Sequence, residues 1–129
     1  MGDVVTREAV MFVVPGEPRS KGRPRLGRNG RTYTPAATRE AEKAVEQAWQ
    51  IATTGPTGTR MVHDRIGVEI GFVCKHRRRR DLDNMAKLVL DALNGLAYVD
   101  DEQIDLMTVQ RMWTSGEPET RVMIWSLGE

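Results

Sequence analysis

A chain of 129 residues, 40% hydrophobic and 29% charged, has the size and composition of one globular domain that can build a core without staples. Its one cysteine, Cys74, excludes an internal disulfide; the two histidines, His63 and His76, fall in no zinc-type spacing; and no apolar run approaches the ~18 residues of a membrane span. The net charge of +1 hides a segregation, because residues 19–31 and 75–80 hold eleven bases and no acid, leaving eight bases against eighteen acids elsewhere, a net of −10.

Such segregation points to a polyanionic partner met by a localised surface, the plainer account being two solvated loops. Met1–Thr6 lacks the basic start and apolar core of a secretory signal, so a reducing, cytoplasmic setting is expected.

Glu8–Val14 contains the β-type run Val10-Met11-Phe12-Val13-Val14, stopped by Pro15-Gly16, and predicts a first strand. Pro15–Asn29 sets prolines and glycines among basic side chains and predicts an extended, positively charged loop. Thr34-Pro35 ahead of Ala36–Ala52 predicts a helix with Thr34 as N-cap and Pro35 at the first helical position. Ala41, Ala44, Val45, Ala48 and Ile51 or Ala52 form its apolar face, and Thr54-Gly55-Pro56 ends it.

Ile66–Lys75 places Ile66, Val68, Ile70, Phe72 and Cys74 on one side at period two, a half-buried strand that delivers the chain into the arginine run. From Leu82, apolar positions 82, 85, 86, 89, 92, 93 and 96 follow a second helical face, with Asn94-Gly95 as its stop. Ile104–Trp113 predicts a strand of ambiguous buried face; Ser115-Gly116-Glu117-Pro118 predicts a turn, with Thr120–Trp125 as the hairpin partner. The order β-α-β-α-β-β predicts a single-domain α+β fold, two helices packed on one mixed sheet.

The chemistry concentrates in Arg77-Arg78-Arg79-Arg80-Asp81-Leu82-Asp83-Asn84-Met85-Ala86-Lys87, followed by Asp100-Asp101-Glu102-Gln103. Two carboxylates at i and i+2, where a strand gives way to a helix, can project from the same end of the sheet and converge on a hard cation such as Mg²⁺. A third carboxylate from 100–102 has to arrive through space, since a helix from 82 to 96 carries the chain about 20 Å away. The plainer account makes Asp81 a helix N-cap with Asp83 in the first turn. Against it stand the four preceding arginines, which a cap does not need and a phosphodiester-cleaving site does. Lys87 and Asp91 follow Asp83 at i+4 and i+8, as a surface ion-pair ladder or, for Lys87, as a cation aimed at a phosphate.

A calcium loop fails because Ala86 and Ala92 stand where glycine and glutamate belong. No phosphate-cradling loop ending in Lys-Ser/Thr exists, so no nucleotide cofactor is expected, and there is no serine-esterase elbow. Cys74 reads as core. Trp113 and Trp125 read as core or dimer surface rather than base-stacking groups.

Pro15-Gly16-Glu17-Pro18-Arg19-Ser20-Lys21-Gly22-Arg23-Pro24-Arg25, then Arg79-Arg80-Asp81-Leu82-Asp83-Asn84-Met85-Ala86-Lys87, Asp91-Ala92-Leu93-Asn94-Gly95 and Tyr98-Val99-Asp100-Asp101-Glu102-Gln103-Ile104, taken in order, resemble the RusA family of Holliday junction resolvases, often encoded by phages and prophages. The resemblance implies that Asp81, Asp83 and Asp101 bind the metal, with Asp100 the alternative to Asp101, and that Lys87 is the catalytic lysine. It further implies an Mg²⁺-dependent homodimer that nicks a four-way DNA junction symmetrically. A two-fold substrate calls for two sites related by a two-fold axis. Lys21, Arg23, Arg25, Arg28 and Arg31 of the first basic segment and Arg77, Arg78, Arg79 and Arg80 of the second are then expected to grip the DNA backbone.

Overall fold

The computed structural model describes residues 9–22, 25–54, 61 and 64–128. In chain order these form β1 (Ala9–Pro15), a small hairpin of β2 (Arg25–Leu26) and β3 (Thr32–Tyr33), α1 (Ala36–Ala52), β4 (Arg65–Cys74), α2 (Leu82–Leu93), a 3-10 turn (Asp101–Gln103), β5 (Ile104–Trp113) and β6 (Glu119–Gly128). Apart from the small hairpin inside the basic loop, the order is the expected β-α-β-α-β-β.

The main sheet runs β1-β6-β4-β5, with β4 and β5 parallel and the other pairs antiparallel. The expected hairpin between the last two strands is therefore absent: β4 lies between β5 and β6. The reason is burial. β4 is buried on both faces along most of its length, so both its edges need partners. Residues 114–118 arch over its end, where the Thr114 N–H donates to the Cys74 carbonyl at 2.9 Å.

Ile66, Val68, Ile70, Phe72 and Cys74 point toward the helices, in register with Val122 and Ile124 of β6. Register with β4 also settles the face of β5, since Met107, Val109, Arg111 and Trp113 stand opposite Val68, Ile70, Phe72 and Cys74. As an edge strand β5 stays half exposed on both faces, which is why its alternation was ambiguous. On the face away from the helices, a Cβ at Gly67 would meet the Trp125 ring at 2.3 Å, so this glycine is the space in which the indole lies.

α1 begins one residue later than expected, with Pro35 rather than Thr34 at the N-cap and no side-chain cap bond. It buries Val45 and Trp49, the latter edge-on to Phe12 with ring centroids 5.9 Å apart, while Ile51 is exposed. α2 buries Met85, Ala86, Leu88, Val89, Ala92 and Leu93, and ends at Leu93. Gly95 then takes a φ of +81°, a left-handed turn that a side chain resists. No described helix is long and apolar enough to cross a membrane.

Candidate active site

In β4-α2-β5 the carboxyl ends of two parallel strands and the start of the helix lie at one end of the sheet. Open α/β sheets bind ligands at that end. The segment from Lys75 to Arg80 is organised there by Glu17, whose Oε1 accepts the backbone N–H groups of Lys75 and His76 at 2.9 and 3.2 Å. Its Oε2 accepts Arg80 Nη1 at 2.6 Å. Arg80 also donates to the carbonyls of Pro18, His76 and Arg78, and its side chain is only 5% exposed. Burial pushes the Glu17 carboxyl up, but the Arg80 bond and the two N–H donors outweigh it and hold the group below its usual range.

Arg80 is thus committed to the fold and not presented to a DNA backbone, a correction to the expectation for that residue. Sequence reasoning missed the part of Glu17. Its signal was an acid isolated at the edge of a base-rich segment.

Asp81 occupies the N-cap position of α2 but makes no side-chain bond to the helix, so the capping account does not describe it. It is exposed, as is Asp83 two residues on, whose Oδ1 accepts the Asn84 N–H at 2.9 Å. Lys87 is exposed one turn further and makes no ion pair among the described residues. The expected ladder with Asp91 does not form, because Asp91 pairs with Lys21.

Asp83, Lys87, Asp91 and Asp101 line one open groove with Leu90, Met107 and Val109, between α2 and β5. Asp83 stands at its upper end. Asp91 is two turns lower, about 12 Å along the axis, and Asp101 lies close enough to interact with it. A hydrogen bond with Asp100, burial, and the negative charges of Asp100 and Asp91 hold the Asp101 carboxyl above its usual range.

Among the described residues no three acids, histidines or cysteines gather as a metal-binding group. Asp81 and Asp83 stand two residues apart at the start of α2, and Asp101 therefore does not gather with them within the chain. Gln103 is structural: its Oε1 accepts the N–H groups of Val99 and Asp100, and its Nε2 donates to the carbonyls of Met61 and Asp64. This buried amide fixes the turn that carries Asp101.

Arg77, Arg78 and Arg79 are exposed beside Asp81. The first basic segment is strapped across α2, with the Lys21 N–H donating to the Asn84 carbonyl at 3.1 Å and its ammonium on Asp91. Gly22 donates to the buried Thr38 hydroxyl at 3.0 Å, an approach that a Cβ would crowd. Beyond it, Arg28 and Arg31 are exposed around the turn of the β2–β3 hairpin, while Arg25 lies in β2 itself. Arg23 lies outside the described residues, as does His63. Cys74 is in the core, where burial pushes its thiol up and away from nucleophilic use.

Over residues 15–125 the chain matches the family described as Endodeoxyribonuclease RusA. It belongs to the RusA family. It is also similar to the Bacillus subtilis (strain 168) protein printed as "Uncharacterized protein YqaN", with 30% identity over 137 residues, covering 91% of this chain and 96% of that one. RusA membership places the chain in a family of endodeoxyribonucleases.

Proposed function

We propose that this RusA-family chain is a cytoplasmic, Mg²⁺-dependent Holliday junction resolvase that acts as a homodimer in DNA recombination and repair. The observation that carries the reading is the Asp81 carboxylate, placed at a helix start but unused by the helix, followed along α2 by Asp83 and by Lys87, which makes no ion pair among the described residues. Hard oxygen donors in that number suit Mg²⁺, which is commonly held by one or two protein carboxylates with waters and phosphate oxygens. Asp81 and Asp83 would hold it, and when bound it would polarise the scissile phosphate and lower the pKa of the attacking water.

Lys87 contributes a mobile positive charge one turn along the groove, where it offsets charge that builds on the phosphate in the transition state. Arg77, Arg78 and Arg79 hold the DNA backbone beside the acids, and Arg28 and Arg31 extend that grip. Asp101 stands at the other end of the groove, so its part in the reaction requires a second copy of the chain running antiparallel along α2. A two-fold substrate is met by that symmetry.

The test is side-by-side cleavage of four-way junctions, flaps, linear duplex and RNA with Mg²⁺, by the parent and by Asp83→Asn. Paired nicks in the junction by the parent alone support the reading. A flap or RNA optimum, or equal cutting by both proteins, refutes it.

A further inference from the structure

The end of the molecule that carries Asp81 also carries an indole. Trp113 is the last residue of β5, opposite Cys74, on the helix-facing side of the strand, and 43% exposed. The Arg77 guanidinium lies over its ring, 4.6 Å from the centroid, and that of Arg111 is 5.9 Å away. Arg111 is itself anchored, donating to the Arg80 carbonyl at 2.5 Å and touching the Met85 sulfur at 3.2 Å. Its buried Nε has no hydrogen-bond partner among the described residues. The cation–π contacts fix the plane of the indole and leave part of it facing solvent.

Two cations drawn to one aromatic ring repel each other, and the exposed Arg77 loses hydration if an apolar protein surface covers it. A partner that relieves both costs has a flat apolar face and negative charge at its rim, which describes a nucleobase between its two phosphates. Continuous duplex keeps its bases stacked and offers the indole nothing. At a branch point the stack is interrupted, and a base leaves it cheaply.

We infer that Trp113, steadied by Arg77, is a stacking platform for a base at the branch point, and that it makes binding selective for a junction over continuous duplex. This rests on the junction reading above. It gives Trp113 a role other than the core or dimer surface expected for it from the sequence.

The experiment uses a four-way junction with 2-aminopurine at the branch point and a linear duplex with the same label in the same sequence, both titrated in EDTA with the parent chain, Trp113→Ala, Trp113→Leu and Trp113→Phe. The parent is expected to bind the junction more tightly than the duplex, with a fluorescence change confined to the junction. Trp113→Ala and Trp113→Leu should weaken junction binding roughly 5- to 150-fold and erase that change, the range expected for loss of one base–aromatic stack. Duplex affinity should stay within about twofold, because the phosphate contacts that set it are retained. Trp113→Phe should restore most of both. Leucine keeps the apolar bulk, so a folding defect confined to the alanine variant leaves the test intact. A junction preference that survives in Trp113→Leu, or an equal loss on both DNAs, overturns the platform alone; a parent without junction preference overturns the resolvase reading beneath it.

Discussion

Replacing Glu17 by glutamine keeps the shape of the side chain but removes the carboxylate that pairs with Arg80. The guanidinium would remain 5% exposed, bonded to three backbone carbonyls and facing an amide. Removing one partner of a buried ion pair costs about 3–5 kcal/mol, and because the Glu17 side chain is 21% exposed, water softens the loss toward about 3 kcal/mol. For a domain of this size that corresponds to a fall in Tm of about 10 °C. Urea denaturation of parent and Glu17→Gln at pH 7 measures it, with Arg80→Met and the double variant closing a cycle in which the two losses are far from additive. The pH dependence follows from the lowered Glu17 carboxyl, which binds a proton less readily when folded than when unfolded. Its contribution is full above its ordinary value of 4.5 and disappears as the pH falls through the lower folded value, so parent and variant should converge in acid. A change in stability below about 0.5 kcal/mol at pH 7, the size of an ordinary surface substitution, would refute the role given to this pair.

Asp81→Asn should abolish junction cleavage while preserving or tightening junction binding in a gel-shift assay, since it removes a ligand and lessens repulsion of phosphate. Mixing Asp83→Asn with Asp101→Asn, each inactive alone, should recover partial cleavage, because one site of the mixed dimer then holds an intact Asp83 and an intact Asp101 from different copies; continued inactivity after subunit exchange would place all the acids within one chain. Arg78→Ala should weaken junction binding and flatten its dependence on salt, with an unchanged Tm, whereas Arg80→Ala should lower the Tm. Lys87→Met should lower the cleavage rate about 100-fold or more at unchanged junction affinity, as expected for a charge that acts mainly in the transition state.

Periodicity made the elements legible wherever one face is buried and the other wet. α2 is the clearest case: of its expected apolar positions, 85, 86, 89, 92 and 93 are buried and 82 and 96 half-buried, while the structure adds Leu88 to the buried face. Strand pairing was less legible. Ser115–Pro118 carries the residues of a tight turn, but turn chemistry is local, whereas the choice of β4 as the partner of both β5 and β6 follows from burial of β4 on both faces.

The acidic end of α2 could be read from Asp81 and Asp83 beside an arginine run. That Arg80 turns inward could not, because four consecutive arginines look alike in sequence, and only the approach of Glu17 from 63 residues away distinguishes the last. The place of Asp101 relative to Asp81 and Asp83 was not legible for the same reason: the return path of the chain after α2 is set by the parallel pairing of β4 with β5, which brings it back at the opposite end of the helix.

The placement of β6 has a consequence for how the molecule is made. Residues 119–128 occupy an interior position in the sheet, between β1 and β4, and join Ala9 to Trp125 across nearly the whole chain. During synthesis β1 and β4 emerge with open hydrogen-bonding edges that nothing can fill until those ten residues leave the ribosome, so the core closes late and through contacts of high sequence separation. A nascent or truncated chain ending near Pro118 would retain β4 and β5 as an apolar pair with one edge exposed, a template for self-association.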